Sequence, residues 1–137
     1  VVKSPGIPDS SQVIKSYKKN NINVISEIEF ASRHTDSEII AITGSNGKTT
    51  TTLLTHQILN DEGLNVTIGG NIGTSFSSLL ISNDYNYLVL EVSSFQLDGI
   101  VEFKPHIAVI TNLSPRAKSL KSFKTEKHSL GTASTLS

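Results

Sequence analysis

The chain has 137 residues, enough for one ordinary domain, and its 36% hydrophobic and 18% charged content is that of a globular protein. Twelve Lys and Arg balance twelve Asp and Glu, which argues against a nucleic-acid partner or a polybasic membrane surface. With no cysteine and no apolar run near the roughly 20 residues that span a bilayer, a disulfide framework, a zinc ribbon, thiol chemistry and a membrane span are all excluded. No N-terminal signal pattern is visible, so a cytoplasmic protein is expected. The chain begins Val1-Val2-Lys3 and contains no methionine, so it is expected to be an internal piece of something longer. Val1 and Val2 read as the end of a buried strand.

Residues 1–36 form a first unit. Ser4-Pro5-Gly6-Ile7-Pro8 is punctuated as a loop by two prolines and a glycine. Asp9 or Ser10 can cap a helix running to about Asn20, with Val13, Ile14 and Tyr17 on one face. Asn23-Val24-Ile25 is a short strand candidate. Ser26 with Glu29 three residues on reads as a capping box opening a short helix through Phe30 and Ala31. The unit holds too little apolar surface for a core of its own.

Residues 37–115 alternate strands with helices. Ile39-Ile40-Ala41-Ile42 is a continuous apolar run, the mark of a strand buried on both faces. A glycine loop follows, then a helix from Lys48 to about Glu62, with Leu53, Leu54, Ile58 and Leu59 as its apolar stripe and Gly63 as its stop. Val66-Thr67-Ile68 is a second strand, and Gly69-Gly70-Asn71-Ile72-Gly73 a second glycine loop. A short helix is expected from about Thr74 to Ile81, then strands at Tyr87-Leu88-Val89-Leu90 and Ile107-Ala108-Val109-Ile110. The pattern predicts an α/β fold, a parallel sheet with helices on both faces. In residues 116–137, Arg116, Lys118, Lys121, Lys124 and Lys127 stand against Glu126 alone amid dense Ser and Thr, so a disordered tail is expected.

Chemistry concentrates in Gly44-Ser45-Asn46-Gly47-Lys48-Thr49-Thr50. The segment follows a buried strand and opens a helix, the setting of a phosphate-binding loop. The longer form of that motif requires glycine at position 42, where Ile42 stands, so this is a shortened G-x-x-G-K-T. Gly44 and Gly47 let backbone N–H groups approach phosphate oxygens, and the helix presents its N-terminus to the same anion. Lys48 can reach the terminal phosphates and the Thr49 hydroxyl can ligate Mg²⁺. Glu91 ends an apolar strand, where parallel sheets bind ligands, and can hold the same ion. Asn71 offers a donor and an acceptor on the same edge of the sheet. His34, His56, His106 and His128 show no metal-ligand spacing and read as structural or solvated.

The loop at 44–49 resembles the ATP loop of the Mur ligases, the ATP-dependent amino-acid ligases of peptidoglycan synthesis. Gly70-Asn71-Ile72-Gly73, Leu90-Glu91-Val92-Ser93-Ser94-Phe95-Gln96-Leu97, Ser4-Pro5-Gly6-Ile7-Pro8 and Ser26-Glu27-Ile28-Glu29-Phe30 are similar to the branch that adds D-glutamate. The resemblance covers residues 1 to about 115. It implies that 1–36 is the end of a UDP-binding N-terminal domain and 37–115 a partial central ATP-binding domain, with a third domain outside the chain. It implies ATP and Mg²⁺ as cofactors, and UDP-N-acetylmuramoyl-L-alanine and D-glutamate as substrates of a monomer. The carboxylate would be phosphorylated to an acyl phosphate, which the amine of D-glutamate attacks. Gly44 to Thr50 would bind ATP with Lys48 on its terminal phosphates, and Thr49 and Glu91 would hold Mg²⁺. Asn71 and Ser93 would face the muramoyl substrate, and Ser4, Pro5 and Gly6 would lie near its diphosphate.

The resemblance fails after Pro115. The family continues with Asp-His, the histidine serving a second Mg²⁺, whereas here Arg116-Ala117 follows. Turnover by this chain alone is therefore not expected. The alternatives are a non-catalytic nucleotide-binding module and a folylpolyglutamate synthase-like ligase, which shares the short loop.

Overall fold

A computed structural model describes residues 1–81 and 84–113. The tail expected over 116–137, with Lys127 and His128, lies outside the described residues. Two strands, β1 (Val2–Lys3) and β2 (Ile25–Ser26), pair in parallel around helix α1 (Gln12–Lys19). Helix α2 (Glu27–Ser32) leads into β3 (Glu38–Thr43), α3 (Lys48–Asp61), β4 (Val66–Gly70), α4 (Phe76–Leu79), β5 (Tyr87–Glu91), α5 (Ser94–Leu97) and β6 (Ile107–Ile110).

The last four strands form one sheet in the order β4-β5-β3-β6, every pair parallel. The parallel α/β sheet read from the apolar runs is thus what forms. Its two faces are separate cores. On one, Ile39, Ala41, Leu88 and Leu90 pack with Ile28 and Ala31 of α2, Phe76 and Leu79 of α4, and Leu97 of α5. On the other, Ile40, Ile42 and Val89 pack with Leu59 of α3. Because alternate side chains of a strand face opposite ways, continuous apolar runs were required to fill both. The α2 helix lies within the sheet's core, across the division at residue 36 expected from the sequence.

Several expectations are corrected. The cap of α1 is Ser11, whose Oγ accepts from the Ile14 N–H; Asp9 instead takes Lys3 and Lys18. Of the face expected on α1 only Ile14 is buried, and Val13 points outward. Val1 and Val2 are exposed, and the two-residue strand that begins at Val2 pairs, among the described residues, with β2 alone. The 23–25 strand begins later, at Ile25, and the helix expected over 74–81 is a single turn. A further helical turn, α5, forms where none was read, closed by the Gln96 side chain folding back on the Ser93 N–H at 2.9 Å.

The largest correction concerns α3. Leu53, Leu54 and Ile58 are about half exposed, while Thr52 is fully buried. Thr52 and Leu59 lie seven residues apart, two turns along one stripe, and that stripe faces the sheet. The stripe of α3 that meets the sheet is thus not its most apolar side. Its end is as expected. Gly63 takes φ +76°, and the N–H groups of Leu64 and Gly63 return to Leu59 and Asn60 carbonyls, a Schellman closure that a Cβ would hinder.

The capping box at Ser26 is half formed. Ser26 Oγ accepts from the Glu29 N–H at 3.2 Å, but the Glu29 carboxylate does not return. It is fully buried and accepts the N–H groups of Val101, Glu102 and Phe103, each at 2.9 Å, on one oxygen. The other oxygen takes Arg33 at 2.7 and 2.9 Å. Burial disfavours the charged carboxylate, but these N–H donors and the guanidinium outweigh it and hold the Glu29 carboxyl below its usual value.

Candidate nucleotide-phosphate site

The strand β3 ends at Thr43, and the next four residues turn the chain into α3. Gly44 has φ +143° and Gly47 φ +77°, backbone that L side chains rarely adopt. A Cβ on Gly44 would also lie less than 3.0 Å from Thr111 Oγ1. Gly47 caps α3 with no side-chain acceptor for the helix's first N–H groups. Those donors, at the positive end of a 14-residue helix, are what an anion needs. Lys48 Nζ donates to the Gly44 carbonyl at 2.8 Å, which folds its ammonium over the loop. Ser45, Asn46 and Thr50 complete the turn and the helix's first exposed residues.

Glu91 arrives from the neighbouring strand end. It is 2% exposed, and each oxygen takes one neutral donor: Thr49 Oγ1 at 2.7 Å and Asn71 Nδ2 at 2.8 Å. Asn71 is fixed from behind by its own N–H, which donates to the Glu91 carbonyl at 2.8 Å. That approach requires Gly70, at φ +96°, where a Cβ would lie less than 3.0 Å from the same carbonyl. Thus the loop after β3, Thr49 at the start of α3, Glu91 and Asn71 form one hydrogen-bonded cluster across the carboxyl ends of β3, β5 and β4.

A buried carboxylate without an ion pair among the described residues, facing a hydroxyl, fits a hard divalent cation. Mg²⁺ takes few protein oxygens and fills its shell with phosphates and water. Among the described residues no group of three or more His, Cys, Asp or Glu gathers.

The other expected residues sit apart. Ser93 lies two residues past Glu91, but its N–H and hydroxyl both donate to Gln96 Oε1. Ser4, Pro5 and Gly6 are exposed in a turn closed by the Ile7 N–H on the Ser4 carbonyl, and take no part in the Glu91 cluster. His106 is structural, as expected: its Nδ1 accepts the Ile39 N–H at 3.0 Å. A cleft of about 430 Å³ beside it, lined by Arg33, Asp36 and Lys104, lies at the amino ends of β3 and β6. Ligands of parallel sheets bind at the other end, and so do the loop and Glu91.

The reading of the residues missed Thr111 and Asn112 as loop contacts. Thr111 Oγ1 donates to the Asn46 carbonyl at 2.5 Å, and Asn112 Oδ1 accepts the Ser45 and Asn46 N–H groups at 3.1 and 2.9 Å. A Thr-Asn pair just past a buried strand was the available signal.

Against this geometry, comparison with known proteins is informative. The Mur ligase middle domain family matches residues 42–126. The chain belongs to the Mur ligase middle domain family. Among curated relatives, the UDP-N-acetylmuramoylalanine--D-glutamate ligase of Christiangramia forsetii is 48% identical over 93% of this chain and 29% of that protein. The enzyme of the same name from Cytophaga hutchinsonii is 54% identical over 84% of this chain and 26% of that protein. The chain therefore spans between a quarter and a third of these relatives' length. Among solved structures, the UDP-N-acetylmuramate:L-alanyl-gamma-D-glutamyl-meso-diaminopimelate ligase of Neisseria meningitides matches 82% of this chain and 41% of its own, with TM-score 0.55. At 19% identity that likeness bears on the fold, which is the Mur ligase fold.

Proposed function

We propose that this Mur ligase middle-domain segment binds the phosphates of ATP, as part of a ligase that joins D-glutamate to UDP-N-acetylmuramoyl-L-alanine through an acyl phosphate. The observation that carries it is the Thr49–Glu91–Asn71 cluster beside a loop whose glycines adopt positive φ. The names of the curated relatives support the choice of substrate and argue against the folylpolyglutamate synthase-like alternative. In this reading the N–H groups at the start of α3 hold the terminal phosphates, and Lys48 leaves the Gly44 carbonyl to neutralise them. Glu91 and Thr49 hold Mg²⁺, which when bound offsets charge on the phosphates. Asn71 keeps the Glu91 carboxylate aimed at that position. Ser93, Ser4, Pro5 and Gly6 are the surfaces offered to the muramoyl substrate. Cytoplasmic location and a monomeric state go with this reading, and no described helix is long and apolar enough to cross a membrane.

The 137-residue chain on its own is proposed to bind nucleotide without ligating. Position 117 is alanine, with no ligand atom where the family resemblance calls for a metal-binding histidine. Two anions brought to about 3–3.5 Å, the reacting distance, repel unless cations bridge them. Calorimetric titration with ATP and Mg²⁺ tests the reading. Lys48→Ala removes a charge-assisted contact and should weaken binding roughly 10- to 150-fold, equivalent to about 1.5–3 kcal/mol. Equal affinity for both proteins would show that the loop is not the site. Product formed from UDP-N-acetylmuramoyl-L-alanine, D-glutamate and ATP would refute the non-catalytic part.

A further inference from the structure

The loop after β3 is held from the side opposite to Glu91. Past the last paired residues of β3 and β6, the Thr111 N–H still donates to the Thr43 carbonyl at 2.9 Å. The Asn112 carbonyl accepts the Ser45 N–H at 3.1 Å, and Asn112 Oδ1 accepts the N–H groups of both Ser45 and Asn46. The Asn46 carbonyl takes Thr111 Oγ1 at 2.5 Å and Asn112 Nδ2 at 3.2 Å. The side-chain amide of Asn112 thereby continues the β3–β6 ladder where the backbones diverge. Gly44 is part of the same fit, because only a residue without Cβ lets Thr111 come so close.

This has a chemical consequence. A phosphate-binding loop is usually credited with all its N–H groups, but here those of Ser45 and Asn46 are already donated to Asn112, both to its side-chain oxygen and that of Ser45 also to its backbone carbonyl. We propose that Asn112 is a positioning residue: it holds Ser45 and Asn46 in place so that the anion is met by the N–H groups of Gly47 to Thr50 and by Lys48. The inference rests on the nucleotide reading for what the loop binds, but the anchoring itself exists without ligand. Asn112 touches the loop backbone and not the reacting atoms, so its effect passes entirely through the loop's shape.

Residue-resolved amide exchange of the full chain, measured by NMR with and without ATP and Mg²⁺, tests this. In the free protein the Ser45 and Asn46 amides should already be protected, while those of Gly47 to Thr50 gain protection only with ATP. Asn112→Ala should speed exchange at Asn46 by about tenfold or more, as expected for loss of a net hydrogen bond, and at Ser45 by less, because the Ser45 N–H keeps the Asn112 backbone carbonyl; ATP binding should weaken by a factor similar to that at Asn46. The core amides of Ile40 and Ala41 should not change, which separates anchoring from general destabilisation. Asn112→Asp keeps an acceptor oxygen for both amides but loses the Nδ2 donor to the Asn46 carbonyl, so it should restore protection in part. Unprotected Ser45 and Asn46 amides in the free wild-type chain would overturn the proposal even if Asn112→Ala fails to fold. So would protection indifferent to Asn112, or its loss at unchanged ATP affinity. Anchoring that depends on Asn112 in a chain that binds no ATP would refute the nucleotide reading and leave the anchoring standing.

Discussion

Removing the Glu29 carboxylate should be among the most damaging single changes available. In Glu29→Ala the N–H of Phe103 loses its partner inside the core, and those of Val101 and Glu102 lose theirs at its margin. An orphaned buried donor costs about 1–3 kcal/mol, and the two part-buried bonds add about 1 kcal/mol each. The total, about 3–5 kcal/mol, agrees with the range for breaking a buried charge arrangement. Domains of this kind hold only about 5–15 kcal/mol in all. Glu29→Gln keeps one acceptor oxygen for the N–H groups and lets the half-exposed Arg33 swing away, so about 1–2 kcal/mol is expected. The chain has no tryptophan, so urea unfolding is best followed by far-UV circular dichroism. With a slope of about 1–3 kcal/mol per molar, the Glu29→Ala midpoint should fall by at least about 1 M. A fall under about 0.3 M would refute the view that this carboxylate ties α2 to the segment before β6. The pH dependence gives a second check. The Glu29 carboxyl titrates below its ordinary value of 4.5 in the folded chain. Its contribution is therefore complete above that pH and is lost as pH falls through the depressed value. The gap in stability between wild type and Glu29→Gln should be constant near neutrality and narrow below pH 4.5.

Gly44→Ala should abolish nucleotide binding in calorimetry while leaving strand content by circular dichroism intact, because the new Cβ collides with Thr111 and not with the sheet core. Gly70→Ala, at φ +96° with its Cβ against the Glu91 carbonyl, should lower stability by at least about 2 kcal/mol in urea titration. Thr52→Val should do the opposite, since the Thr52 hydroxyl is buried with no hydrogen-bond partner among the described residues; removing it while keeping the side chain's shape should stabilise by about 1 kcal/mol, or about 3–5 °C in the melting midpoint.

What could be read from the sequence was what depends on neighbours in the chain. Four short runs declared four strands, the 39–42 run as one buried on both faces, and Gly63 declared the end of α3, because both are decided within a few residues; the edge strand β6 keeps Ile107 and Ile110 exposed. The loop was legible because Gly44, Gly47, Lys48 and Thr49 are contiguous and flanked by a strand and a helix. Contacts between distant residues were not legible. Glu29 looked like the second half of a capping box because Ser26 precedes it by three, but its carboxylate serves N–H groups 72 to 74 residues away. Asn112 anchors residues 66 and 67 positions earlier, and no local pattern announces that. Leu53, Leu54 and Ile58 misled for a different reason. Periodicity locates an apolar stripe on a helix, but the stripe of α3 that meets the sheet is the one bearing Thr52 and Leu59.

The strand order explains why the cluster forms at this place in the sheet. From β3 the chain crosses over β5 to reach β4, and α3 makes that crossing on the Ile40–Ile42 face. The return from β4 to β5, through α4, and the step from β5 across β3 to β6, through α5, run in the opposite direction and use the Ile39–Ala41 face. Crossovers of one hand require this: reversing direction along a parallel sheet means changing face. The connections leaving β3 and β5, which are adjacent, therefore depart to opposite sides and leave a crevice between their carboxyl ends. The Thr49–Glu91 hydrogen bond spans that crevice, and β6, on the far side of β3, supplies Thr111 and Asn112 to the other flank of the loop. A loop of this sequence at the end of an edge strand would have one flank unsupported. Between β5 and β6 it has a charged wall on one side and a neutral anchor on the other. In the proposed reading, that asymmetry leaves the first N–H groups of α3 to meet an anion, joined by Lys48 once it leaves the Gly44 carbonyl.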